Sequence, residues 1–443
     1  MRICDAKAII ITLLGMRELQ LVILTSTIII ISQWVSNTPV LQGTLFQIQK
    51  ASAQNQYMES DSCVTYDSAD NTIRISCGFA DLTGINNQLK DPDLLHKEKA
   101  KGVWLLNTGI VIEEDATLYI NSTDTSWLKI AADGKTEYGI RILGGLKIDS
   151  VKITSWNLET NDYEKFEVEK ENGAKEADYP KKPRPFITVD EKSTSSIEIT
   201  NSEIAYLGYL SDGIYGYGLT FFGGNKNLLA GNNIHHNFRG FYSEDLGGDM
   251  SIEDNYIHSN YQYGLDPHTG THDMNIRNNT LYDNGAIGII CSLDCYNITI
   301  EDNEVYNNFG YGIMFSRNMY HSVARNNYVY NETNCISVNT QSHNNEVYNN
   351  RVSECENGID LRNEAYNNDI HHNSIIESGK GIKVHSGAYS NTFHYNTIIT
   401  NPKEIGISVD ADTEDNRFDN NQVIDSKLQK GDTNRNRIRN MLP

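Results

Sequence analysis

Six consecutive residues, Tyr263 to His268 with the sequence YGLDPH, combine proton-transferring side chains with a proline in a strand-like segment. Proline cannot donate a ladder hydrogen bond, and such local exceptions concentrate at functional sites. A phenol, a carboxylate and an imidazole can take up a proton, return one or polarise a substrate. We therefore predict that Tyr263, Asp266 and His268 are catalytic.

A repeat with a period near two dozen residues surrounds this hexapeptide. An Asn followed two residues later by an aliphatic residue recurs at intervals of 23 to 25 residues, and a Gly followed by an apolar residue recurs in step with it. The asparagines are Asn232, Asn255, Asn279, Asn303, Asn327, Asn350, Asn373, Asn396 and Asn421. The glycines are Gly240, Gly264, Gly288, Gly312, Gly358, Gly381 and Gly406, with Cys335 once in their place. Two landmarks at constant phase indicate one structural unit per period.

The repeat unit has room for two or three short strands, which are too small to bury their own apolar face. Stacking successive coils about 4.8 Å apart buries that face in one continuous core. Asn tolerates the left-handed turn conformation, and a column of amides can hydrogen-bond from coil to coil. We predict an all-β fold, a right-handed parallel β-helix of roughly ten coils, because parallel crossovers are strongly right-handed.

Four segments are predicted along the 443 residues. Residues 1–54 contain long apolar runs and form a signal peptide or a membrane anchor. Residues 55–192 form a β-rich N-terminal region leading into the solenoid, in which residues 91–101 could hold one short helix. Residues 193–427 form the β-helix with the active site, and residues 428–443 form a C-terminal tail.

The charge and the cysteines restrict the setting of the protein. A formal net charge of -21 argues against binding to nucleic acid or to anionic membrane surfaces. The N-terminal segment predicts export, hence an extracellular or cell-surface location, and the protein could stay anchored in the membrane. We also expect a monomer. Removing Cys4 with that segment leaves six of seven cysteines, an even number compatible with disulfides. Cys63 and Cys77 flank a turn-rich stretch that could close a hairpin.

Strand alternation assigns the faces of the anomalous coil. Leu265 and Pro267 are predicted to point inward, and Tyr263, Asp266 and His268 to face solvent. Residues in the same columns of neighbouring coils surround these three and suit an anionic sugar chain. They are Arg239, Tyr242, Glu244, Ser292, Tyr311 and Arg317, all predicted to bind substrate. Arg362 and His385 lie farther along the same face and could form distal subsites.

The hexapeptide resembles the Tyr-Gly-[hydrophobic]-Asp-Pro-His motif of the mannuronan C-5-epimerases, in particular their exported single-domain β-helix type. The resemblance extends through Gly240-Phe241-Tyr242 before the motif and Ser316-Arg317-Asn318 after it. It implies C5 epimerisation of uronate residues in a polymer such as mannuronan or alginate. Two positions depart from the family. Thr269 stands where the family usually has an Asp, and Leu293 occupies the position of the family's arginine that neutralises the substrate carboxylate.

The predicted chemistry is proton abstraction and return at C5 of a uronate. His268 would be the base, Tyr263 the opposing acid or its relay, and Asp266 would orient His268 or position the carboxylate. Either Arg239 or Arg317 would neutralise the carboxylate. Two alternatives stay open: a polyuronate lyase, if the intermediate expels the C4 oxygen, and a non-catalytic cell-surface carbohydrate-binding β-helix. No cofactor is expected, although acidic ladders could take up structural or substrate-bridging Ca²⁺.

Overall fold

The computed structural model describes residues 62–166, 179–211, 213, 216–424, 427–430 and 436–439. The predicted signal or anchor segment lies outside these ranges, as does most of the predicted tail. Within them, we find no helix with the length and apolar character needed to span a bilayer.

The described strands form three long sheets of 15, 14 and 14 strands. Sheet A contains Val64–Asp67, Thr72–Ile75, Gly109–Ile112, Gly139–Ile142, Phe186–Val189, Gly218–Phe221, Arg239–Glu244, Tyr263–His268, Ile287–Ser292, Tyr311–Ser316, Asn334–Asn339, Asn357–Arg362, Lys380–Val384, Ile405–Val409 and Lys427–Lys430. Sheet B contains Ala80–Asp81, Thr117–Asn121, Gly145–Asp149, Ile197–Thr200, Leu228–Ala230, Met250–Glu253, His272–Arg277, Tyr296–Glu301, Val323–Arg325, Glu346–Tyr348, Asp369–His371, Thr392–His394, Arg417–Asp419 and Arg437–Arg439. Sheet C contains Leu95–Lys97, Val103–Leu106, Trp127–Ala131, Lys152–Trp156, Glu203–Ala205, Asn233–His235, Tyr256–His258, Thr280–Tyr282, Glu304–Tyr306, Tyr328–Tyr330, Arg351–Ser353, Ser374–Ile376, Thr397–Ile399 and Gln422–Ile424.

Neighbouring strands of each sheet pair in parallel and are one coil apart. The exceptions are two antiparallel pairs, near residues 64–75 and 95–106. The predicted parallel β-helix is confirmed. It has more coils than the roughly ten predicted, because sheet A already stacks in parallel from Thr72–Ile75 onward. These early coils lack the Asn and Gly landmarks, so counting landmarks missed them.

One α-helix, Leu82–Leu89, is present in the described part of the chain. The Asp81 side chain caps its N-terminus by accepting a hydrogen bond from the Gly84 backbone N–H at 2.6 Å. The helix predicted over residues 91–101 is wrong, since Leu95–Lys97 is a strand paired with Val103–Leu106.

The Asn column forms the predicted ladder inside the turns. Asn303 Oδ1, for example, accepts from the backbone N–H and from Nδ2 of Asn279 at 2.9 and 3.0 Å. Asn303 Nδ2 in turn donates to Ile276 O and to Asn327 Oδ1, both at 3.0 Å. All of these asparagines are buried, so each amide satisfies backbone groups that would otherwise lack a partner.

Four of the six cysteines that follow the N-terminal segment form disulfides. Cys63 and Cys77 close the predicted hairpin, and Cys335 is bonded to Cys355. Cys291 and Cys295 are buried free thiols.

A second amide ladder ends on a carboxyl group. It runs through Asn237, Asn260, Asn284 and Asn308 and reaches Glu332, whose Oε1 accepts from Nδ2 of Asn308 at 2.8 Å. Glu332 Oε2 is buried, and in the described part of the chain it has no hydrogen-bond partner. Burial therefore raises the pKa of Glu332 to about 8, although the Asn308 hydrogen bonds lower it.

We expect Glu332→Gln to stabilise the protein at alkaline pH. The carboxyl titrates near its ordinary value when unfolded and near 8 when folded, so the free energy of unfolding falls as pH rises between those values. The Gln variant keeps the hydrogen-bond acceptor and loses the titration. Its melting temperature should match the wild type at about pH 5 and exceed it at about pH 9. The exposed Glu304→Gln is the control, and an equal difference at both pH values would contradict the prediction.

Candidate active site on sheet A

The Tyr263–His268 strand lies in the middle of sheet A, between Arg239–Glu244 and Ile287–Ser292. Leu265 is fully buried in the core and Pro267 is buried beside it, as alternation predicted. Pairing with the following strand runs through Leu265 and His268 and skips Pro267, which has no N–H to donate. The strand therefore carries its polar side chains on the outer face while the proline packs inward.

Asp266 faces outward but is not solvent-exposed, which corrects the prediction for this residue. Its exposure is only 1 %, because Arg239 from the preceding coil covers it and binds Oδ2 through Nη1 at 2.7 Å. Its Oδ1 is buried and has no hydrogen-bond partner among the described residues. Burial raises the pKa of Asp266 to about 6, although the Arg239 and Arg317 guanidiniums lower it. The carboxyl is thus paired with Arg239, and no hydrogen bond joins it to His268 in the described residues.

Arg239 is held by several groups at once. Its Nε donates to Gln262 Oε1 at 2.7 Å, and its guanidinium lies 4.2 Å from the ring centre of Tyr217 and 5.2 Å from that of Tyr263. Gln262 donates to the Tyr179 hydroxyl at 2.7 Å. These contacts hold the Arg239 guanidinium in place, and Asp266 balances its charge as counter-ion.

Sequence reasoning missed Gln262 and Tyr179. Gln262 carries no titratable group, but its turn position holds Ala286 and Gly310 in the next two coils. The preceding coil has Phe238 at this position, so the size of Gln262 gave no signal either. Tyr179 lies among residues 164–182, which are rich in Glu and Lys as solvated loops are, so its contact with the site had no local signal.

His268 is half-buried and hydrogen-bonded at both ring nitrogens. Its Nε2 lies 2.9 Å from Arg317 Nη2, and its Nδ1 lies 2.7 Å from Thr269 Oγ1. A guanidinium can only donate, so Nε2 is the acceptor and Nδ1 carries the proton. Burial, together with the positive charges of Arg317 and Arg239, lowers the pKa of His268 to about 4. The imidazole is therefore neutral at neutral pH, and its unprotonated Nε2 accepts from Arg317 on the outer face.

Arg317 reaches His268 from two coils away. Its Nε donates to Ser292 Oγ at 2.7 Å, and no carboxylate pairs with it among the described residues. Ser292 aligns with Ser316, so Leu293 and Arg317 occupy the same turn position in successive coils, both with positive φ. The guanidinium thus lies above the coil of Leu293 and forms no ion pair with any residue that the structure describes.

The remaining predicted residues surround this centre at different distances. Tyr263 is partly exposed, and burial raises the pKa of its phenol to about 12. Tyr242 is buried, donates to Glu244 Oε2 at 2.9 Å and packs 5.7 Å from the His268 ring. Tyr311 lies apart from the cluster, since its hydroxyl accepts from Arg362 farther along the face. The structure therefore brings Tyr263, Asp266 and His268 together with both arginines.

We expect Arg317→Gln to raise the pKa of His268 from about 4. Removing the cation favours the imidazolium, while burial keeps the pKa below the ordinary value. A ¹⁵N-histidine NMR titration measures this change, and His268→Gln identifies the resonance. Arg351→Gln on sheet C should leave the titration as it is. A lowered or unaltered His268 pKa in Arg317→Gln would contradict the assigned contact.

One group of side chains in the described residues could hold a metal ion. The ligating atoms of Asp369, His371 and His394 lie within 4.8 Å of one another. This group lies on sheet B, apart from the site on sheet A. Its imidazole nitrogens do not suit Ca²⁺, which prefers oxygen ligands. Binding of Ca²⁺ by acidic ladders stays a prediction.

Comparison with known proteins agrees with this architecture. The profile of the family described as "Right handed beta helix region" matches residues 186–291 and 268–423. A mannuronan C5-epimerase from Pseudomonas putida is 26% identical over 212 residues, which are 45% of this chain and 37% of that protein. The chain therefore matches well under two thirds of that relative's length.

Two solved structures share the fold. The crystal structure of the periplasmic alginate epimerase AlgG has a TM-score of 0.68 and 20% identity, covering 79% of this chain and 85% of that one. A point mutant of AlgG gives a TM-score of 0.69 with the same identity and coverage.

Proposed function

Since the chain belongs to the right-handed β-helix family, and its sheet A carries a neutral imidazole beside an unbalanced guanidinium, we propose that it is a C5-epimerase of polyuronates. One observation carries the proposal: His268 Nε2 lies 2.9 Å from Arg317 Nη2. The proposed substrate is a polymer such as mannuronan or alginate, which the similarity to mannuronan C5-epimerase supports.

The spacing of base and cation matches the reaction. The C5 proton and the carboxylate of a uronate sit on adjacent carbons, so the groups that act on them must be neighbours. When the carboxylate takes up the donors of Arg317, C5–H comes within reach of His268 Nε2. Charge that develops on the carboxylate as the proton leaves is then offset by a preorganised guanidinium. Arg317, rather than Arg239, has this role because Asp266 already balances Arg239.

Inversion at C5 needs a proton from the opposite face of the sugar. Tyr263 lies toward the other end of the same strand and keeps its proton at neutral pH, because burial raises its pKa to about 12. We assign it as the acid or its relay. Thr269 Oγ1 accepts a hydrogen bond from the Nδ1–H of His268 and so fixes the tautomer in which Nε2 is unprotonated. A threonine can therefore orient the base where the resembling family usually has an aspartate.

The proposed setting follows from the substrate. An anionic polysaccharide would lie along sheet A, and the enzyme would be exported, in line with the periplasmic location of the AlgG epimerase. Anchoring through the N-terminal segment and a monomeric state stay predictions. So does catalysis without a cofactor.

Proton NMR of polymannuronate incubated with the protein in deuterated water tests the function. We expect deuterium at C5 and new guluronate signals. No C5 exchange with any polyuronate would refute the proposal. Unsaturated chain ends, seen by ultraviolet absorbance, would identify a lyase instead. Binding of the polymer without exchange would identify the non-catalytic β-helix.

A further inference from the structure

A second polar cluster lies on sheet A, four coils beyond Asp266. Its centre is Asp360, which is 1 % exposed although it faces outward. His385 Nε2 lies 2.9 Å from its Oδ1, and Arg362 Nε lies 3.5 Å from its Oδ2. Ser337 donates to the same Oδ2 at 3.3 Å. The cluster thus repeats the buried Asp, His and Arg of the first site at about 19 Å along the face, given the coil spacing.

Two lysines extend this cluster in the next coil. Lys383 aligns with Asp360 and Lys380 aligns with Asn357, and both lysines are half-buried. Neither forms an ion pair with any described residue. Together with Arg362 the cluster has three cations and one carboxylate. On a protein of net charge -21, such a local excess of positive charge marks a place where an anionic ligand can bind.

The surface between the two clusters suits a sugar chain. Its outward columns carry Ile290 and Met314 next to the first site, then Asn334, Ser337 and Asn357 approaching the second. Met314 is partly exposed and can pack on the face of a sugar ring, whereas Ile290, Asn334, Ser337 and Asn357 are buried and form the floor beneath it. The columns run perpendicular to the strands, so a chain crossing successive coils meets both clusters.

We infer that Arg362, Lys380 and Lys383 form a distal subsite that binds a carboxylate of the same polyuronate chain, several sugar residues from the one held at His268. Asp360 is a positioning residue, because it is buried beneath Arg362 and His385 and holds their side chains at the surface. This inference rests on the proposed function for the class of polymer. It adds that affinity depends on chain length, since only a chain long enough to span both clusters gains the second contact.

The test removes the two unpaired lysines in a His268→Gln background, so that binding is measured without turnover. Titration calorimetry with long polymannuronate should show Lys380→Gln/Lys383→Gln binding roughly three- to tenfold more weakly than the parent. The control is Lys101→Gln/Lys226→Gln, which makes the same charge change at exposed turn positions that precede strands of sheets C and B. It should keep the parent affinity.

Chain length supplies the second arm. In the active protein, the double variant should raise KM for the long polymer, and the ratio of its KM to the wild-type value should shrink toward one as the oligomer shortens. Equal affinity of variant and parent for the long polymer would overturn the subsite, as would an equal loss in the control. If the long polymer loses affinity but no protein catalyses C5 exchange, the subsite stands and the proposed function fails.

Discussion

We expect His268→Gln to lower kcat/KM for C5 exchange by about 10²–10⁴-fold. Glutamine can occupy the space of the imidazole and still bond to Arg317 or Thr269, but it cannot take up a proton from C5. The loss should appear in kcat, because the carboxylate contact with Arg317 remains. Deuterium incorporation into polymannuronate measures it.

A matched control separates catalysis from folding. His258 on sheet C is also partly buried, and burial likewise lowers its pKa to about 4, but it bonds to Asn233 and Ser259 away from the site. His258→Gln should keep wild-type exchange, and both variants should have similar melting temperatures. Exchange in His268→Gln above a tenth of the wild-type rate would show that another group is the base.

Arg317→Gln is expected to lower kcat/KM by about 10²–10³-fold with little loss of stability. Its partners Ser292 and His268 are neutral, so no buried charge is left unpaired. Arg239→Gln should instead destabilise the protein by about 3–5 kcal/mol, because it strands the buried Asp266 carboxylate. Kinetics and thermal unfolding of both variants distinguish the two arginines. A stable Arg239→Gln with the greater loss of kcat would reverse the assignment.

A rescue sharpens this prediction. Leu293 and Arg317 share one turn position with positive φ in successive coils, so the backbone at Leu293 can carry an arginine. Leu293→Arg in the Arg317→Gln background places a guanidinium one coil nearer to His268. We expect it to recover part of the lost kcat/KM. If kcat/KM does not recover although the variant folds, the guanidinium must reach the substrate carboxylate from the position of Arg317 and not from that of Leu293.

The sequence alone determined the fold and the residues of the reactive strand. Periodicity is a property of neighbours along the chain, so the Asn and Gly landmarks predicted the β-helix, the amide ladder and the inward position of Pro267. The alternation of strand faces placed Tyr263, Asp266 and His268 together. Coils without landmarks escaped the count, because apolar alternation alone has no fixed phase.

Tertiary structure decided the charge balance of the site. The columns place both Arg239 and Arg317 near His268, and only their side-chain contacts show that Asp266 neutralises Arg239 and that Arg317 has no ion-pair partner among the described residues. The burial of Asp266 depends on a side chain from another coil, and the brace from Tyr179 comes from 83 residues before Gln262. Electrostatics depends on distances and desolvation in three dimensions, which no spacing along the chain records. The YGLDPH segment therefore specifies which groups transfer protons, and the stacking of coils specifies their protonation and their partner cation.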